Sequence, residues 1–68
     1  MTPGQLARIS RDYTAIAGEI LQIEEIGNAV YAFGTELATL RLFRKMPNER
    51  QGYSVNLRGY YFCVEINT

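Results

Sequence analysis

The chain has 68 residues, 47% of them hydrophobic and 12% aromatic, with seven basic and seven acidic side chains and a formal net charge of zero. A chain of this length forms one domain, residues 1–68, and buries only about 60% of its unfolded surface, so its stability margin is thin. The zero net charge excludes a strong overall field that would draw the chain to nucleic acid or to a membrane.

The residue types that are rare or missing exclude several kinds of site. Cys63 is the only cysteine and histidine is absent, which removes an intrachain disulfide, a multi-cysteine metal site and the commonest general base. No apolar run approaches the roughly 20 residues of a membrane span, and residues 2–12 do not resemble a secretory signal. We expect a complete, cytoplasmic, non-enzymatic protein that binds no cofactor, metal or membrane.

The first segment carries a helical signal. Thr2-Pro3-Gly4-Gln5 has the pattern of a capping box at a helix N-terminus. After it, apolar residues recur at alternating spacings of three and four, which is typical of a helical stripe. The stripe consists of Leu6, Ile9, Tyr13, Ile16, Ile20 and Ile23. The spacing predicts a helix from Pro3 to Glu25, with its stripe covering the central helix or serving as a homodimer seam.

An alternative for the same segment remains open. Gly18 is unfavourable inside a helix, and Glu24 and Glu25 lie at the wrong end of a helix dipole. A short helix over residues 3–12 can instead precede a strand that turns at Gly27-Asn28, so that residues 16–33 form a hairpin.

The central stretch, residues 35–46, has the strongest helical pattern of the chain. Thr35 is a good N-cap, Glu36 suits the positive end of the helix dipole, and Pro47 stops the helix. Apolar residues occupy most of its circumference outside a basic stripe of Arg41, Arg44 and Lys45. We therefore expect the helix to be covered on two sides, with only this stripe exposed and with Leu40 important to the core.

The remaining elements are strands. The composition predicts strands at 29–33, 53–57 and 60–66, a loop at 47–52 and a tight turn at Arg58-Gly59. In the last strand, the alternation predicts one face toward the helix, made of Tyr60, Phe62, Val64 and Ile66. The opposite face is predicted to hold Tyr61, Cys63, Glu65 and Asn67.

Together these elements predict an α+β fold around helix 35–46. The leading arrangement is α-β-α-β-β with a mostly antiparallel three-stranded sheet. The alternative is ββαββ behind a short first helix.

The leading functional hypothesis is a small interaction protein that binds and regulates or inhibits another protein. Residues 41–58 hold five basic residues against Glu49 alone, a local net charge of +4, which favours an acidic partner surface. Phage- or plasmid-borne inhibitors are one class of this kind. The predicted contact residues are these five basic residues and two tyrosines that are expected to be exposed. The basic residues are Arg41, Arg44, Lys45, Arg50 and Arg58, and the tyrosines are Tyr53 and Tyr61.

The second hypothesis is a nucleic-acid-binding module that uses the same basic residues and the aromatic residues of the sheet. The segment 58–62, RGYYF, agrees in part with the signature of RNA-recognition motifs. It departs from that signature at Tyr61, and the next residues depart at Cys63 and Glu65. This partial agreement does not assign the chain to that family.

Overall fold

The computed structural model describes residues 1–66 and folds them into two helices packed on one face of a sheet. In chain order the elements are α1 (Pro3–Ala17), β1 (Gln22–Ile26), β2 (Ala29–Gly34), α2 (Glu36–Lys45), β3 (Arg50–Ser54) and β4 (Gly59–Glu65). The described strands form a four-stranded antiparallel sheet in the order β1-β2-β4-β3. The α+β class is confirmed, and the observed order is ββαββ behind a first helix.

The first helix begins as predicted but ends earlier than the leading prediction placed its end. The Thr2 side chain accepts a hydrogen bond from the Gln5 backbone at 3.2 Å, and the Gln5 side chain accepts one from the Thr2 backbone at 2.9 Å. Gly18 then adopts a left-handed backbone, with φ of 71°, and its N–H caps the helix by donating to the Thr14 carbonyl. The predicted helix from Pro3 to Glu25 is therefore wrong beyond Ala17.

A hairpin begins at Gln22, within the last part of the predicted helix. β1 and β2 pair from Gln22 opposite Phe33 to Ile26 opposite Ala29, which leaves Gly27 and Asn28 as a two-residue turn. Gly27 has a φ of 60°, as required at the first central position of a type II′ turn. Over residues 1–66 the sheet accordingly has four strands, whereas three were predicted.

The first strand of the second hairpin lies earlier in the chain than predicted. Residues 50–52, predicted as loop, belong to β3, and residues 55–57, predicted as strand, belong to the turn. Gly52 is suited to its place because a side chain there would meet the Tyr61 hydroxyl at 3.1 Å. The turn ends at Arg58, whose φ of 65° is in the left-handed region.

The faces of β4 agree with the prediction over the described residues. Phe62 is fully buried in the core, and Val64 packs against it from the same face. Cys63 lies on the opposite face, where it is also buried. Asn67 lies outside the described residues.

The helix α2 packs between the sheet and solvent and contributes several side chains to the core. Thr35 caps it by accepting from the Ala38 backbone at 3.1 Å, as predicted. Ala38, Thr39 and Leu42 are fully buried, and Leu42 is the largest of them. Leu40 is only half-buried, so the leucine of α2 that lies in the core is Leu42 and not the predicted Leu40. Leu37 is 47% exposed, so the exposed side of α2 is not limited to basic residues. Among the described residues, no helix has the length and apolar character needed to cross a membrane.

Truncation of Leu42 should be far more costly than truncation of Leu40. Leu42→Ala leaves a cavity in the core, and we expect it to lower the free energy of unfolding by about 2–5 kcal/mol. Leu40→Ala, which removes the same atoms from a half-exposed site, is the control and should cost clearly less. Urea denaturation followed by circular dichroism measures both, and equal losses would contradict the assignment of Leu42 to the core.

Gly18→Ala tests where α1 ends, because the substitution should stabilise a continuous helix and destabilise a helix that ends at Gly18. Inside a continuous helix, Gly18→Ala would stabilise the protein by about 1 kcal/mol. At a left-handed cap it should destabilise by roughly 1–2 kcal/mol, and its new methyl group would lie 3.1 Å from Nη1 of Arg41. Thermal and urea denaturation decide between the two, since a more stable variant is compatible only with a helix that continues past Gly18.

Candidate binding face

Within residues 1–66, both helices pack on one face of the sheet, and no helix or strand packs on the other face. Because side chains alternate along a strand, the partners of Phe62 and Val64 point to the helices and the residues between them point away. We call the second surface the open face. Its charged and aromatic residues and its cysteine are Glu24, Tyr31, Phe33, Arg50, Arg58, Tyr61, Cys63 and Glu65.

Three aromatic rings form the centre of the open face. The rings of Tyr31 and Phe33 are stacked, with centroids 5.7 Å apart and planes 8° apart. Tyr61 packs against Tyr31 from β4, with centroids 5.9 Å apart. Phe33 is only 5% exposed, so neighbouring side chains cover it and hold the cluster in place. The result is an ordered aromatic surface with polar hydroxyl groups at two of its rings.

Two arginines flank this cluster, and each is paired with a carboxylate. Arg58 lies over the Phe33 ring, with the guanidinium carbon 4.4 Å from the centroid, and also forms an ion pair with Glu24 of β1. On the other side, Nη2 of Arg50 lies 2.7 Å from Oε1 of Glu65. All four side chains are substantially exposed, so each ion pair contributes at most about 1 kcal/mol to stability.

Arg50 also marks a depression at the rim of the open face. The depression has a volume of about 340 Å³ and is lined by Asn48, Glu49, Arg50 and Glu65. Its polar lining complements the apolar centre of the face. It therefore presents both positive and negative groups.

The structure divides the predicted basic patch into two separate surfaces. Arg41 donates from Nη1 to the Ala17 carbonyl at 2.8 Å, which ties α2 to the end of α1. Arg44 and Lys45 are exposed on the same helix. Arg50 and Arg58 lie on the open face, on the other side of the sheet from α2. The five basic residues are therefore not brought together.

The two predicted contact tyrosines are likewise on opposite sides. Tyr61 lies on the open face, half-buried among the other rings. Tyr53 lies on the helix side of β3, is 61% exposed and packs edge-on against Tyr60 with centroids 4.8 Å apart. The sequence-based prediction missed Tyr31, Phe33 and Glu24. The alternation in β2 carried a signal for the two aromatics, since residues two apart in a strand share a face.

The predicted dimer stripe does not form one helical surface. Leu6, Ile9, Tyr13 and Ile16 belong to α1, but Ile20 lies in the following connection and is 91% exposed. Ile23 belongs to β1. Tyr13, Ile16 and Ile23 pack against the core, and the Tyr13 ring meets Phe62 edge-on at 5.7 Å. Dimerisation through these residues stays a prediction.

The comparisons with known proteins give no further guidance to the site. No family model, curated protein or solved structure matches the chain. Within residues 1–66, no group of three or more histidine, cysteine, aspartate and glutamate side chains is placed to hold a metal ion.

Tyr31 gives the open face a measurable pH signature. Hydrogen bonding with the Cys63 thiol is the larger cause, and burial the next, that raise the pKa of Tyr31 above its ordinary value of 10.0. The unfolded phenol therefore ionises first as pH rises. The contribution of Tyr31 to the free energy of unfolding is therefore complete below pH 10, and it is lost as the pH rises from 10 through the pKa of the folded state.

We expect Tyr31→Phe to reduce the fall in unfolding free energy above pH 10. Burial also raises the pKa of Tyr13, so part of the fall should remain in the variant. Urea denaturation of both proteins at pH 9 and at several values above pH 10 provides the comparison. An unchanged dependence on pH would show that Tyr31 is not held in this environment.

Proposed function

We propose that the chain is a small non-enzymatic protein that binds another protein through its open face and thereby regulates or inhibits it. The observation that supports this proposal is the ordered cluster of Tyr31, Phe33 and Tyr61 between two arginines on the open face. Aromatic residues and arginine are the residue types enriched at protein interfaces and at their energetic hot spots.

The charge pattern favours a protein over a nucleic acid as the partner. Phosphate binding depends on lysines and arginines free to neutralise the backbone. On the open face, Arg50 and Arg58 are each neutralised by a glutamate. A protein surface can offer charges of both signs to these ion pairs around an apolar centre. The partner is thus expected to be apolar where it meets the rings and mixed in charge at the rim.

The same proposal has the protein act in the cytoplasm. Cys63 is free and buried, and thiols persist unpaired in reducing compartments. Regulation then follows from occupancy, since a bound copy of this chain would exclude other ligands from the partner surface that it covers.

A nucleic-acid-binding role is the second candidate, favoured by the placement of Tyr31 and Tyr61 on an open sheet face, where aromatic rings can stack bases. Tyr60 and Phe62, the residues that agree with the RNA-recognition signature, face the helices instead. Steep weakening of oligonucleotide binding with salt would support this role. No binding of a labelled oligonucleotide at low salt would reject it.

A charge swap tests the open face without leaving an unpaired charge. The double variant Glu24→Arg with Arg58→Glu keeps an ion pair and the net charge but reverses the pattern that a partner meets. Proteins retained by the immobilised chain would be identified by mass spectrometry, and their affinities measured by calorimetry. We expect the swap to weaken binding by about tenfold or more, equivalent to about 1.4 kcal/mol.

Arg44→Glu is the matched control, because Arg44 is exposed on α2, away from the open face. It should leave the affinity unchanged. The opposite result, loss of binding with Arg44→Glu and retention with the swap, would move the contact to the basic stripe of α2. Circular dichroism and thermal melting should show that both variants remain folded.

A further inference from the structure

The two edges of the sheet differ in how well they are protected. In the part of the chain that the structure describes, the strand order leaves β1 and β3 with one unpaired side each. Exposed strand edges can pair with a second strand. β1 carries Glu24 and Glu25. Antiparallel pairing of β1 with itself about its centre would place Glu24 opposite Glu24, and like charges directly opposite are destabilising. β3 has the sequence RQGYS, without an acidic residue, a lysine or a proline.

We infer that a second copy of this chain pairs antiparallel with β3 about a two-fold axis at Gly52. This register pairs all five residues of the strand. It places Gln51 opposite Tyr53 of the second copy and Arg50 opposite Ser54 of the second copy, so no like charges meet. A strand that is complementary to itself in this way suits the isologous contact of a two-fold dimer.

The neighbouring flank of α2 gives this edge an apolar surface. Gln51 donates from Nε2 to Oγ1 of Thr39 at 3.4 Å, which identifies the flank of α2 that lies beside β3. Phe43, one helical turn after Thr39, is half-buried, as is the adjacent Leu40. The other flank is held against α1 through Arg41 and Ala17.

This register places an aromatic ring against the half-buried side chains of that flank. Tyr53 is 61% exposed and points to the helix side of the sheet. In the dimer, Tyr53 of the second copy stands opposite Gln51, on the flank of α2 that carries the half-buried Phe43. Each copy thus supplies the ring that covers the α2 flank of the other, while main-chain hydrogen bonds join the strands.

The dimer has a defined relation to the open face, although the inference does not depend on the proposed function. A two-fold axis perpendicular to the sheet keeps both sets of helices on one side. The two open faces then lie side by side on the other side of an eight-stranded sheet. The contact uses β3 of both copies, so assembly closes at two copies.

The test is the solution mass, measured by sedimentation equilibrium over a wide range of concentrations. Tyr53→Lys places a charge in the proposed interface. Gln22→Lys places the same charge at an exposed position of β1, the other edge. We expect the wild type to dimerise, Tyr53→Lys to raise the dimer dissociation constant at least about tenfold, and Gln22→Lys to leave it unchanged. Circular dichroism confirms that each variant is folded.

Disulfide trapping tests the register. Equal amounts of a Gln51→Cys variant and a Tyr53→Cys variant are mixed and oxidised, since directly opposite residues lie within disulfide reach whereas diagonal ones are about 7–8 Å apart. A cross-linked dimer that forms in the mixture, and much less in Gln51→Cys alone, which keeps the Tyr53 ring, supports the inference. Native Cys63 is buried on the opposite face and provides no competing partner in this register.

Three results would overturn the inference. One is a monomer at every concentration. Another is a dimer that Tyr53→Lys does not weaken, whether or not Gln22→Lys dissociates it. The interface would then lie elsewhere, for example at the predicted stripe from Leu6 to Ile23. The third is a dimer in which the cysteine mixture gives no more cross-linking than Gln51→Cys alone.

Discussion

The left-handed backbone of Gly18 is the constraint on which the remaining structure depends. It ends α1 by donating to the Thr14 carbonyl, and the chain beyond it is free to return as β1. Arg41 secures this end by donating to the Ala17 carbonyl at 2.8 Å, which satisfies an acceptor that the finished helix leaves unpaired. Without this stop there would be no fourth strand, and Glu24 would not lie on the sheet to meet Arg58.

Features set by a few neighbouring residues could be predicted from the sequence. The caps at Thr2 and Thr35 were predicted correctly because capping depends on side chains within one helical turn. The end of α1 was not, because Ile20 and Ile23 continue the helical spacing by coincidence. Ile20 is 91% exposed and Ile23 reaches the core from β1. Spacing alone cannot tell one long amphipathic helix from a shorter helix followed by a strand.

The site was harder to predict because it depends on which side of the sheet the helices cover. Arg50 and Arg58 follow the stripe of α2 in the sequence, which suggested one basic patch. They instead belong to the opposite side of the sheet, with the rings of Tyr31 and Phe33. The alternation of β2 groups these two rings, but only the packing of α2 against Phe62 determines that their face is the open one.

The open face is difficult to explain by stability alone. Its two ion pairs are exposed, and such pairs contribute little to folding. Arg58 adopts a left-handed backbone at the end of the β3–β4 turn, a conformation that is unfavourable for a residue other than glycine. Its side chain nevertheless lies over Phe33 and reaches Glu24 on β1. The proposed binding role accounts for this arrangement, because a partner that contacts Arg58 and the rings would use both the charge and the backbone conformation that folding alone does not require.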